Sequence, residues 1–381
     1  LLVIAVPVIL QSLITTGVNL VDNIMLGQLT ETALSGSTQA NQFITLYTFV
    51  TMGISMGASV LSSRYWGARD LVSLKKVITI ALRFSLTLAQ TFTAANVFFP
   101  QYIMSLYFQP DAVGEIAAGV TYLRWSTGCF VLMAISLVLT NILRSMSLSA
   151  VPLLASACAF GSNIGANYVL IFGKLGFPAM GIAGAAIGSS LAELVSVIFF
   201  VVYTRVRVDV KKYGLNRFGL RNGEPLGNIL NISVWTMVQN FISMSTWFLF
   251  FIAVEHLGER SLAITNIIRN VSALPFMIVI TFSSTCSTLI SNLIGAGNTR
   301  YVRGTLNQCI RMAYLFVLPI ILFFILCPNW ILRIYTDMPD LISASLPSLF
   351  VLCSAYIFIV PGNVYFQSVS GTGNTRAAFI L

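Results

Sequence analysis

Charged residues break this chain into ten long uncharged runs: 1–21, 32–63, 84–110, 125–143, 145–173, 175–192, 225–254, 270–299, 312–332 and 341–375. Each is close to or longer than the ~20 residues an α-helix needs to cross the hydrocarbon core of a bilayer. Gly, Ser and Thr are mixed with Leu, Ile, Val, Phe and Ala throughout, and these small residues let transmembrane helices pack closely. A β-barrel would need short segments of alternating polarity, and there are none. With 9% of its residues charged, against about a quarter in soluble domains, the chain reads as an all-α polytopic membrane protein. Ten complete helices and the start of an eleventh are expected.

The net charge of +9 does not point to nucleic acid, because the basic residues segregate between alternate loops. One side receives Arg64, Arg69, Lys75, Lys76, Arg144, Arg205, Arg207, Lys211, Lys212, Arg217, Arg221, Arg300, Arg303 and Arg376, the other only Lys174, Arg260 and Arg333. This bias predicts that the N-terminus and the basic loops are cytoplasmic, in a multi-pass protein of the inner (plasma) membrane surrounded by lipid. Six scattered cysteines show no metal or redox spacing, and no cofactor is expected. No signal peptide is evident. The first residue is Leu rather than Met, so a fragment at both ends is expected.

A shift of 228 positions lays the second half on the first: Gln11 on Gln239, Glu31 on Glu259, Ser55 on Ser283, Gly67 on Gly295, Arg83 on Arg311 and "PQYIMSLY" (100–107) on "PNWILRIY" (328–335). Such self-similarity exposes the architecture. Six helices per half make the repeats parallel, a transporter arrangement. The expected divisions are an N-terminal lobe over 1–205, a cytoplasmic linker over 206–224 and an incomplete C-terminal lobe over 225–381. On this register the chain lacks on the order of 50 residues, about two helices.

Asp22, in "NLVDNIMLG", is the only charged residue between Leu1 and Thr30. A charge at mid-bilayer costs ~3 kcal/mol on insertion scales and normally faces a bundle interior or cavity. Its repeat partner is Phe250, so helix packing does not demand the carboxylate. Asn163 and Asn167 are four apart and share a helix face, and Asn19 precedes Asp22 by three. A carboxyl there can exchange a proton, or its oxygens and the amide oxygens can ligate Na⁺. The bland alternatives are a helix-end anchor for Asp22 and interhelical packing bonds for the asparagines. Glu193, also deep in a span, is a candidate second proton site or the partner of a basic side chain. Gln11, Gln239, Trp235, Tyr47, Met52 and Trp247 are candidate cavity residues offering the soft, aromatic surface that suits hydrophobic cations. Lipid-facing positions fit them equally.

"AVPVILQSLI", "VDNIMLGQLTETALSG", "SSRYWGARD", "NIGANYVLIFGKLGFPAMGIAGAAIGSS", "LISNLIGAGN" and "SGTGNTR", in this order, resemble the multidrug and toxic compound extrusion (MATE) transporters over essentially the whole chain. The resemblance implies a 12-helix fold of two six-helix bundles, here without its last one or two helices. It implies a monomer that exports cationic or amphipathic small molecules in exchange for H⁺ or Na⁺. It also implies a coupling site at Asp22 on helix 1 with Asn163 and Asn167 on helix 5; Asn167 stands where some members carry a second Asp. The acids some members carry in helices 7 and 10 have no counterpart here. The rival function is a flippase or exporter of a lipid-linked or other amphipathic metabolite, which would want a cavity rich in Arg and Lys. An enzyme is not expected: there is a single His and no Ser/Lys, HExxH or paired-Asp arrangement.

Overall fold

The computed structural model describes residues 1–108, 112–207 and 224–375, together with part of the side chains in 224–255. Most of the expected linker (208–223), Asp111 and Arg376 lie outside the described residues. All ten uncharged runs fall on helices. In chain order these are α1 (Leu2–Gly27), α2 (Glu31–Gly67), α3 (Leu71–Phe98), α4 (Pro100–Ser105), α5 (Val113–Trp125), α6 (Cys129–Ser145), α7 (Ala150–Phe172), α8 (Ile182–Arg207), α9 (Glu224–Glu255), α10 (Glu259–Gly295), α11 (Val302–Leu326), α12 (Pro328–Arg333) and α13 (Pro339–Gly371). No strand occurs among the described residues.

Among the described residues, seven helices are long and apolar enough to cross a membrane, and α5 with α6, bent by 60°, makes an eighth if the pair is one span. α3 carries Lys75, Lys76 and Arg83 and is correspondingly less apolar. Large apolar side chains such as Val3, Phe98, Leu326 and Phe358 are more than two-thirds exposed. In a bilayer these face hydrocarbon rather than water, since lipid tails are as apolar as Leu. The protein is a multi-pass membrane protein.

The 228-residue shift is written into the helix ends. α1 stops at Gly27 and α9 at Glu255, while α2 and α10 start at Glu31 and Glu259 and stop at Gly67 and Gly295. α4 and α12 both begin on a proline, Pro100 and Pro328, after a one-residue break. Proline lacks the N–H that would continue the preceding helix, yet suits a first turn. The halves differ most where the first breaks over 126–128 between α5 and α6, whereas α13 runs continuously through the equivalent place.

The chain forms two compact units, one of Val6–Ser62 and Asp70–Ser233, the other of Leu1–Ala5, Ser63–Arg69 and Val234–Leu381. The end of α2 thus groups with the second unit. There Gly67 lies against the Asn292 carbonyl and Gly295 against the Arg64 carbonyl, so the ends of α2 and α10 meet backbone to backbone. In the first unit, Tyr47, Phe130, Phe43 and Phe92 form an aromatic core, with Tyr47 and Phe130 edge to face at 5.1 Å. Asp70 caps α3, its carboxylate accepting from the Ser73 N–H at 3.1 Å. Those bonds to Ser73 hold the Asp70 carboxyl below the usual carboxylate range.

Candidate functional site

The site grows from the packing of α7 on α8. Gly184 and Gly188, spaced as G-x-x-x-G, let two apolar helices approach at backbone distance. A methyl on Gly184 would lie 2.6 Å from the Leu170 carbonyl carbon, and one on Gly188 would overlap Asn167 Oδ1. Asn167 is thereby pressed between α8 and α1, fully buried. Its Nδ2 donates to Asp22 Oδ1 at 2.6 Å and to Asn163 Oδ1 at 3.3 Å. Asn163 is buried as well. Asn167 Oδ1 and Asn163 Nδ2 are buried with no hydrogen-bond partner. The structure therefore brings Asp22, Asn163 and Asn167 together.

Tyr122, near the end of α5, lies within electrostatic reach of Asp22. It is 4% exposed, donates its hydroxyl to Asn41 Oδ1 at 3.2 Å and faces Asp22 and Ser189. Neither Tyr122 nor Asn41 stands out in the sequence, because both look like ordinary polar residues in helices. The glycine pair was the legible signal, since it marks where α7 and α8 touch. At the equivalent place in the other unit, Phe251 and Arg269 stand where the first has Asn23 and Asn41, and the Arg269 guanidinium lies over the Phe251 ring at 4.9 Å.

Asn19 does not join the cluster. It is exposed, and no hydrogen bond joins it to Asp22, Asn163 or Asn167 among the described residues, although a three-residue step leaves it only about 60° from Asp22 around the helix. Tyr47 is no cavity residue either: it is fully buried in the aromatic core, its hydroxyl donating to the Phe130 carbonyl at 2.8 Å. Met52 and Trp247 are exposed, the latter stacked on Phe251, while Trp235 and Gln239 are half-buried. Glu193 lies on α8 and has no hydrogen bond to the Asp22 cluster among the described residues, with one carboxylate oxygen buried and unpartnered.

Gln11 is buried and spent at both ends of its amide. It donates to Ser156 Oγ at 2.8 Å and accepts from Arg144 Nη2 at 2.7 Å. Arg144, which the charge bias assigns to a basic loop, lies in the last turn of α6 with its side chain turned onto α1. Gln11 to Ser156 and Asp22 to Asn167 both join residues 145 apart. α1 and α7 thus run in constant register, with two polar rungs three turns, about 16 Å, apart.

The profile of the MatE family matches residues 7–169 and 236–381, most of the chain. The chain belongs to the MatE family. A relative of this MatE protein from Thermotoga maritima, named probable multidrug resistance protein NorM, is 25% identical over 386 residues, which cover 100% of this chain and 81% of the relative. The Bacillus subtilis protein named uncharacterized transporter YisQ is 24% identical over 303 residues, covering 77% of this chain and 63% of its own length. A crystal structure of MATE in the bent conformation matches 99% of this chain and 82% of its own with a TM-score of 0.84 at 21% identity. A MOP superfamily transporter from Pyrococcus furiosus gives a TM-score of 0.83 at 20% identity, covering 100% of this chain and 83% of its own. The MATE-type all-α fold implied by the motifs is the fold found.

Proposed function

We propose that this MatE protein is a cation-coupled exporter of cationic or amphipathic small molecules, working by alternating access in the inner membrane with Asp22 as the coupling carboxylate. One observation carries the reading: a half-buried carboxylate, absent from the repeat's other half, hydrogen-bonded to an asparagine whose own acceptor is left buried without a partner. The family and the relatives named for multidrug resistance supply the export of drugs.

The two unpartnered amide atoms give proton coupling a concrete form. With Asp22 ionised, Asn167 Nδ2 donates to it. With a proton on Asp22 the carboxyl becomes a donor, and a half-turn of the Asn167 amide offers it Oδ1. Asn163 Nδ2 then donates to that same oxygen if its own amide turns. The same carboxylate and amide oxygens are a donor set that suits Na⁺, which shares the preference of hard cations for oxygen.

The deciding measurement is uptake of a fluorescent cation into vesicles holding the protein, with pH and Na⁺ gradients imposed separately. Wild type should transport under one of them, and Asp22→Asn should fold yet lose gradient-driven transport. Full transport by the Asn variant would refute the assignment.

A further inference from the structure

Among the described residues one other carboxylate lies deep in a helix of the same unit. Glu193 is the twelfth residue of α8, about 17 Å along its axis. Its Oε2 is buried with no hydrogen-bond partner. No ion pair to it occurs among the described residues, so nothing basic neutralises it. The Ser136 hydroxyl of α6 faces the carboxyl and lies 3.2 Å from Ser196 Oγ. The titratable groups that face it are Tyr47 of α2 and Cys129 of α6. Tyr47 is committed to the Phe130 carbonyl, and its ring belongs to the aromatic core.

A buried ionised carboxylate lacking a cation is costly, and such a group takes a proton instead. The break over 126–128 lies between Tyr122 of α5 and Cys129 of α6. On its α5 side Tyr122 faces Asp22 and Ser189. On its α6 side Cys129 faces Glu193 and Ser190. Consecutive serines of α8 thus lie near the two arms of one bent helix, Ser189 near Tyr122 and Ser190 near Cys129. In the other half of the repeat the helix is unbroken, and Asp22 is replaced by Phe250.

We propose that Glu193 is a second proton-binding carboxyl, loaded and unloaded during transport alongside Asp22, with the bend between α5 and α6 as the part whose position decides when its site opens to water. The step is the making and breaking of one O–H bond on the carboxyl, with the proton coming from and returning to water. This deepens the coupled-exporter reading and rests on it for the transport role, but protonation itself can be read without transport.

Infrared difference spectra of the purified full chain across a pH change should show two protonated-carboxyl carbonyl bands. Glu193→Gln should remove one band and leave the other, and Asp22→Asn should remove the other and leave the first. Glu193→Asp should restore a shifted band, a check that covers misfolding of the Gln variant. In vesicles, Glu193→Gln should move one proton fewer per cargo ion. Identical spectra for wild type and Glu193→Gln, or an unchanged proton count, would overturn the proposal. Loss of coupling in Asp22→Asn with both results unchanged for Glu193→Gln would leave the exporter reading standing and remove this one.

Discussion

Gly67 and Gly295 stand in reciprocal contact at the crossing of α2 and α10, each against the backbone carbonyl three residues before the other. The two residues are equivalents in the repeat, so the crossing is symmetric, and neither side has room for a methyl group. Gly67→Ala and Gly295→Ala should each lower thermal stability in detergent by the ~1–3 kcal/mol typical of overpacking. Once the helices have parted for one methyl, the second meets less resistance, so the double variant should cost less than the sum of the singles. Strict additivity would show that the two contacts are independent.

Asn167 holds Asp22 by a single 2.6 Å bond. Asn167→Ala leaves the carboxylate without its donor, a loss of ~1–3 kcal/mol for a buried group, and coupled uptake should fall at least tenfold. Gly188→Ala should reproduce much of that defect without touching the cluster's chemistry, because its methyl displaces the Asn167 amide. Normal uptake by Gly188→Ala would mean that the amide's position is not important.

Arg144, Gln11 and Ser156 form one chain of hydrogen bonds. Gln11→Ala should destabilise the protein by ~1–3 kcal/mol by stranding the guanidinium. Replacing both ends with apolar side chains, Gln11→Leu with Arg144→Met, should recover part of it, since swapping a whole buried polar pair costs less than breaking it. Equal losses in the single and double variants would contradict this.

The Asp70 cap has a defined pH window. Its carboxyl is held below the ordinary range in the folded protein, so its contribution is present above the unfolded value near 4 and lost as the pH falls through the folded one. Asp70→Ala should cost about 1 kcal/mol at neutral pH, whereas Asp70→Asn keeps the cap and removes its acid sensitivity. Stability curves against pH that are parallel for wild type and Asp70→Asn would refute this.

The helices were legible because each uncharged run is as long as a bilayer is thick, and the repeat was legible because its helix ends recur at one spacing. The meeting of Asp22 with Asn163 and Asn167 was also within reach, since a four-residue step fixes a common face. What such spacing does not contain is which neighbour that face meets. Arg144 counts as a loop charge when only position is considered, yet its long side chain reaches inward to Gln11. Tyr47 has the chemistry of a cavity wall and the surroundings of a core. Tyr122 lies near Asp22 through the way α5 packs, a property of three dimensions. The glycines at 184 and 188 were visible all along, and their spacing specified the close contact that aims Asn167.

The constant register of α1 on α7 restricts how α1 can move. Sliding it by a turn would break both rungs together and strand a guanidinium and a carboxylate at once. Tilting it about Gln11 breaks only the Asp22 rung and keeps the Arg144–Gln11 bond. The 2.6 Å bond at Asp22 is therefore the rung that α1 can give up alone, with Gln11 as the hinge that stays fastened.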